Sequence, residues 1–239
     1  MTRYAFLLRV VLLGMAFSLP AWAKEAPCRV DTPLNAFCVV PIDAVRPTQS
    51  AVGELQVAED VAKLEKLKHK KRVAWQEKRV LPVVMGPDGG FYLTDRHHTS
   101  RSLWRVGEKA LVVKVIGKLP DAATFWAQMQ ARHWVYLYDE RGQPINPARL
   151  PRRIADLRDD PYRALAGFAE DLGYYLKTNA YFMQFEWARY YGQAMNWQPI
   201  DAGNLKEALR RAQALSCAPA ARTLPGFNTD GCAAASALR

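Results

Sequence analysis

Apolar and polar positions follow two different periods along this chain, and the places where the period changes mark its elements. Apolar runs at 81–85 and 91–94 flank a Gly-Pro-Asp-Gly-Gly turn, the pattern of a hairpin. The polar stretch Asp95-Arg-His-His-Thr-Ser-Arg101 then leads into a helix read over 96–106, with Gly107 where a left-handed C-cap belongs. Ala110-Leu-Val-Val-Lys-Val-Ile116 is a β-branched run that predicts a largely buried strand. Asp121 can cap a helix through Phe125, Trp126 and Met129, and the alternation Trp134-Val-Tyr-Leu-Tyr-Asp139 predicts a further strand. Upstream, 37–46 reads as extended and ends in the turn Arg46-Pro-Thr-Gln-Ser50. Val57, Val61, Leu64 and Leu67 then recur at helical spacing. Strands alternating with helices argue an α/β core.

Prolines at 144, 147 and 151 with Gly142 and Asn146 mark a boundary, beyond which the chain turns helical. Asp160-Pro161 supplies an N-cap followed by proline at the first helical position, and Leu165, Phe168, Ala169 and Leu172 give that helix an apolar side. The segment 174–197 is crowded with aromatics at helical spacing, which reads as a helix packed on the core, with an aromatic platform for bases or sugars as the alternative. A polar helix over 201–215 and a small-residue tail finish the chain. The organisation expected is a leader over 1–23, an α/β domain over 24–142, a helical extension over 143–200 packed on it, and a terminal helix with a cysteine-containing tail over 201–239.

Charge and cysteines refine this picture. Arg3 and Arg9 precede an apolar stretch from Val10 to Leu19, and Ala21-Trp22-Ala23 offers small residues at a cleavage position, so the first 23 residues read as a secretory signal peptide rather than an uncleaved anchor. No later stretch is long enough to span a membrane, so the expected product is exported, periplasmic or secreted, without a transmembrane segment. The formal charge of +10 falls to +8 when the two leader arginines are removed. Eight Lys or Arg between 63 and 79 face only Glu65 and Glu77, so most of the excess is concentrated there. Such a segment is a solvated face or a groove for nucleic acid. All four cysteines lie near the termini of the exported chain: Cys28, Cys38, Cys217 and Cys232. Local pairs, 28 with 38 and 217 with 232, are the preferred reading, with cross-pairing of the termini the alternative; the absence of a Cys-x-x-Cys motif argues against zinc.

Two of the four histidines sit at the strand-to-helix junction, where a helix N-terminus offers unpaired N–H groups to an anion. Hydrolysis of a phosphodiester needs cationic donors, a base for water and an acid for the leaving oxygen. His97 or His98 fits the base or acid, Asp95 can orient an imidazole, Thr99 and Ser100 can hold phosphate, and Arg96 or Arg101 can balance its charge. Adjacent helical residues point about 100° apart, so one histidine is expected to face a cleft. The competing reading makes Asp95 a helix cap, leaves His97 solvated and packs His98 on the sheet. No metal site is expected, since Asp95, His97 and His98 are too close in sequence to serve one ion well; the cofactor is open.

The succession of strand, glycine-rich hairpin, strand, Asp-x-His-His and helix, preceded by Val45-Arg-Pro-Thr-Gln49, resembles the ParB-like nuclease family of the ParB/sulfiredoxin superfamily. Phe125-Trp126, Val135-Tyr-Leu-Tyr-Asp139, Asp159-Asp-Pro-Tyr-Arg163 and Gly173-Tyr174 extend the likeness, which covers roughly 40–197. The resemblance implies a mixed sheet with flanking helices and a mainly helical C-terminal extension. It implies His98 as the first candidate for catalysis, Arg46 and Gln49 as substrate contacts beside the junction, and nucleic acid or a nucleotide as partner. Two departures stand out: Arg96 occupies a usual glycine position, and Thr99 stands where an arginine normally follows the second histidine. No cysteine lies between Cys38 and Cys217, which removes the nucleophile that sulfinic-acid reduction requires. The expected activity is that of a nuclease or related phosphate-ester hydrolase outside the cytoplasm. The alternatives are a non-catalytic binder of a polyanion or nucleotide, and a cell-envelope interaction protein with a decayed site.

Overall fold

The computed structural model describes residues 26–237, so the leader read at 1–23 lies outside the described residues. Five strands form a curled mixed sheet. At one edge β1 (Phe37–Pro41) runs antiparallel to β6 (Ala110–Lys118), which lies parallel to β4 (Leu81–Met85). Next to it β5 (Phe91–Leu93) returns antiparallel to β4 through the glycine turn, and β2 (Val45–Pro47) closes the other edge parallel to β5. β6 takes this place because its residues alternate: Leu111, Val113 and Val115 are buried on one face while their neighbours are half-exposed. A separate parallel pair, β3 (Ala51–Val52) and β7 (Arg158–Asp159), ties the chain after β2 to the start of the helical part.

Among the described residues there are eight α-helices. On one face of the sheet, α1 (Glu54–Glu65) and α3 (His97–Arg105) pack Val57, Leu64 and Leu103 against Val40, Val83, Val113 and Val115. The other face is covered by α4 (Phe125–Ala131) and the following coil, through Phe125, Met129, Val135 and Leu137 over Val84 and Tyr92. The predicted strand at 134–139 is therefore replaced by coil. Its alternation is real, since Val135 and Leu137 are buried, but the segment lies across the sheet instead of joining its edge. Tyr136 N–H reaches the Thr48 carbonyl, and Tyr138 makes one isolated bridge with Pro144. The helical stripe beginning at Glu54 also stops sooner than its periodicity suggests. The basic segment forms a second helix, α2 (His69–Glu77), which packs on the sheet through Gln76, whose amide donates to the Val112 carbonyl.

The C-terminal part has a core of its own. α5 (Pro161–Asp171), α6 (Met183–Ala194) and α7 (Leu205–Ser216) bury Leu165, Ala169, Trp187, Tyr191 and Ala212 together. Most of the aromatic stretch is this core: Tyr175 stacks on Trp187 with centroids 4.3 Å apart, and the Tyr175, Trp187 and Tyr191 polar atoms all find hydrogen-bond partners. Leu172, expected on the buried side of α5, is exposed at the helix end. Beyond α7 the chain ends in α8 (Thr229–Ala237).

Both disulfides are local, Cys28–Cys38 and Cys217–Cys232. The first fastens the segment before β1 to the sheet edge; the second joins the end of α7 to α8. Oxidised cysteines are compatible with export, and no helix among the described residues is long and apolar enough to cross a membrane. Replacing Cys28 and Cys38 by alanine reopens a loop of sequence separation 10. The expected loss, read as a shift of the urea unfolding midpoint, is about 2 kcal/mol.

Candidate functional site

The loop 48–53 crosses the start of α3, and two imidazoles bind its backbone. Thr48 N–H donates to His97 Nε2 at 3.1 Å, and Gly53 N–H donates to His98 Nε2 at 2.9 Å. An imidazole nitrogen that accepts is unprotonated, so these contacts place the proton of each neutral ring on Nδ1. His97 is buried and the Leu93 carbonyl is its second partner, while Thr48 Oγ1 donates to that same carbonyl at 2.7 Å. His97 thus locks the end of β5 to the loop. His98 is half-buried, and both imidazoles line a cleft of about 500 Å³, where one was expected to face it. Burial pushes the His97 pKa down to about 4, and burial likewise pushes that of His98 down, with the nearby Arg163 guanidinium acting in the same direction.

The opposite wall of the cleft comes from α5, and it holds a residue that sequence reasoning did not single out. Arg163, in the first turn of α5, is 9 % exposed. Its Nη1 donates to Gln56 Oε1 at 3.3 Å, its Nε has no hydrogen-bond partner, and it lies 5.2 Å from the Phe185 ring centroid. No carboxylate among the described residues forms an ion pair with it. Asp160, the α5 cap, spends its side chain on the Arg163 backbone N–H, and burial pushes its pKa up to about 7. Two close approaches set the spacing. A Cβ on Gly53 would lie 2.6 Å from the Ala164 backbone, and one on Gly167 would lie 2.1 Å from the Gln56 amide nitrogen. Only glycine lets the α1 start and Gln56 lie so near α5. The first turns of α1, α3 and α5 thereby meet at one cleft, with partial positive charge at each N-terminus.

The residues read from sequence divide between this cleft and other places. Thr99 is buried and Gln49 nearly so, and both line the cleft; Gln49 donates its amide to the Ala51 carbonyl. Asp95 and Arg96 stand exposed at its mouth, 3.8 Å apart, with Asp95 Oδ1 accepting from the Arg96 N–H. Asp95 touches neither imidazole, and the α3 cap is Arg96 in the left-handed region at φ 64°. Ser100 is fully buried with an unpartnered hydroxyl and lies outside the lining. Arg101 turns away: it donates to Glu54 Oε1 at 2.7 Å and to the Ile154 and Ala155 carbonyls. Arg46 faces a different hollow, bound to Asp88 and to the Tyr92 hydroxyl. Of the basic segment, Lys63 alone lines the cleft. His133 follows α4 and stacks on Tyr181 at 4.0 Å.

A family model described as "Putative ParB-like nuclease" matches residues 38–193, from β1 to the end of α6. The chain belongs to this ParB-like nuclease family. A crystal structure of protein Atu1540 from Agrobacterium tumefaciens is 31 % identical and superposes with a TM-score of 0.70, covering 81 % of this chain and 98 % of that one. No curated protein matches the chain. The ParB-like match takes in the junction, Arg163 and the whole cleft lining, and leaves α7, α8 and the Cys217–Cys232 disulfide outside.

The buried groups of this ParB-like site give its stability a pH dependence. The unfolded chain takes up a proton on His97 near 6.5 and the folded chain only near 4, so this contribution is complete above pH 6.5 and is lost as pH falls towards 4. His98 acts in the same direction. Asp160 acts oppositely: its folded pKa, about 7, exceeds the unfolded 3.8, so acidification between those values favours the fold. Replacing His97 with glutamine is expected to shrink the loss between about pH 7 and 4.5 by about 2 to 3 kcal/mol, whereas Asp160→Asn steepens it. Urea midpoints at the two pH values measure both.

Proposed function

We propose that the cleft between α3 and α5 binds a phosphate group and hydrolyses a phosphodiester of nucleic acid outside the cytoplasm. The observation that carries this reading is Arg163: a buried guanidinium in no ion pair among the described residues, with one hydrogen bond and an unpartnered Nε, set against two neutral imidazoles. Burying a cation without a counter-ion is costly, and an anionic ligand removes that cost. Arg163 then neutralises the non-bridging oxygens, with Thr99 and the α3 N-terminus beside it. His98 donates its Nδ1–H as a hydrogen bond to the leaving oxygen, because its Nε2 already accepts from Gly53, and the departing oxygen takes its proton from solvent. Asp95, at the mouth, takes the proton of the attacking water. His97 is a positioning residue, since both its nitrogens hold backbone groups.

A second reading is binding without turnover, and one observation favours it: neither Nε2 is free to act as a base. The purified protein separates the two in assays with DNA, RNA and nucleoside triphosphates. Hydrolysis that falls by about a hundredfold or more in His98→Ala and His98→Gln alike supports the enzyme. Salt-sensitive binding with no hydrolysis supports the module. If neither hydrolysis nor binding occurs, both readings fail.

A further inference from the structure

The charge of the cleft is opposite to that of the molecule. Glu59, Asp60, Asp95, Glu170 and Asp171 line it, against four cations, whereas the chain carries +10. Three of those cations stand at the exposed margin, and two are already engaged. Lys63 lies 3.9 Å from Glu59 and 3.6 Å from Asp60, and Arg96 lies 3.8 Å from Asp95. Arg163 is the buried cation, and no carboxylate among the described residues forms an ion pair with it.

A groove that follows the interior of a nucleic-acid strand places Lys or Arg near successive phosphates, and each one neutralised adds to the salt dependence. Here the phosphates flanking the one at Arg163 would meet Glu59 and Asp60 on α1 or Glu170 and Asp171 at the end of α5. Like charges brought together at an interface reject the wrong partner. The rest of the cleft suits a small ligand: its volume is about 500 Å³, and Phe168, Phe182 and Phe185 supply an apolar side.

We propose that the cleft admits one phosphate group, carried at the end of a strand or on a free mononucleotide, and that its carboxylate margin excludes the interior of a polynucleotide. This rests on the reading that phosphate sits between Arg163 and His98. At a strand end, water adds to phosphorus and the bond from phosphorus to the neighbouring nucleotide's oxygen breaks. The water proton goes to the Asp95 carboxylate, and the departing oxygen, held by the His98 Nδ1–H, takes a proton from solvent; release of the Asp95 proton to solvent restores the site.

The test offers the full chain a 5′-phosphorylated linear single strand, the same strand closed into a circle, and a nucleoside monophosphate. Expected are release of mononucleotides from the linear strand, a circle cut at least about a hundredfold more slowly, and competitive inhibition by the monophosphate. Binding of the monophosphate should show a salt slope near one charge and vanish in Arg163→Gln. A circle cut within about tenfold of the linear strand overturns the inference while leaving the hydrolytic reading intact. If neither strand is cut but the monophosphate binds through Arg163, the hydrolytic reading falls and the inference stands, with a free mononucleotide as the ligand. Strand binding that depends on Arg163, with a slope of several charges and no competition from the monophosphate, overturns it; absence of all binding removes both. The margin is tested by the exposed pair Glu59→Lys and Asp171→Lys, which should raise binding or cutting of the circle by about tenfold or more, and no change would show that the carboxylates do not exclude it.

Discussion

Arg163→Gln abolishes phosphate-ester hydrolysis, with a fall of about 10² to 10³ in kcat/KM, and leaves the fold as stable as before or more so. The two halves of this result have one cause. A guanidinium that is 9 % exposed, with one long hydrogen bond to Gln56 and an unpartnered Nε, has given up its hydration for little return within the protein. Burial pushes its pKa down for the same reason. Glutamine keeps an amide near Gln56 and removes the charge, so the desolvation cost disappears with the ligand contact. A structural arginine gives the opposite outcome: removing one partner of a buried ion pair costs about 3 to 5 kcal/mol. Thermal midpoints measured beside kcat/KM therefore distinguish the roles, and a destabilisation of that size would assign Arg163 to the scaffold. The phosphate ligand should raise the wild-type midpoint and leave that of the variant unmoved.

The sheet side of the molecule is legible in sequence because its signals are local. The hairpin at 81–93, the buried alternation of β6 and the Asp160-Pro161 start of α5 each depend on a few neighbouring residues, and all are present. The coil at 134–139 misleads because period-two burial records a face packed on something, not a hydrogen-bonded partner. The cleft is legible by half. Asp95 to Thr99 announce themselves as a polar run between strand and helix, but the opposing wall arrives from α5 across more than sixty residues of chain, and no local pattern predicts that meeting. One signal was present: Arg163 sits in the first turn of a mostly apolar helix, where a cation opposes the helix dipole. Arg96 and Arg101, the cations nearest in sequence to the histidines, attracted the role by proximity. Arg101 is in fact committed to Glu54 and two carbonyls, a partnership made by the packing of α1 on α3.

Gly53→Val is expected to cost about 4 kcal/mol or more, a size that marks a specific mechanism rather than an ordinary surface change. The φ at Gly53 is −78°, open to any residue, so the demand is spatial. A Cβ there would come within 2.6 Å of the Ala164 nitrogen and Cα and 2.7 Å of its Cβ, atoms of a helix that cannot swing aside. α1 and α5 must separate, and the movement pulls the Gly53 N–H from His98 Nε2 and Gln56 from Arg163. Gly167→Ala supplies the contrast. Its new methyl would strike the amide end of Gln56, a flexible side chain that can rotate away, so stability should change by about 1 kcal/mol or less while the support of Arg163 is lost. Urea unfolding of the two variants, read with phosphate binding, should show both sites losing affinity and only Gly53→Val losing the fold. Equal destabilisation by the two would mean that the helices, not the arginine, set the glycine requirement at 167.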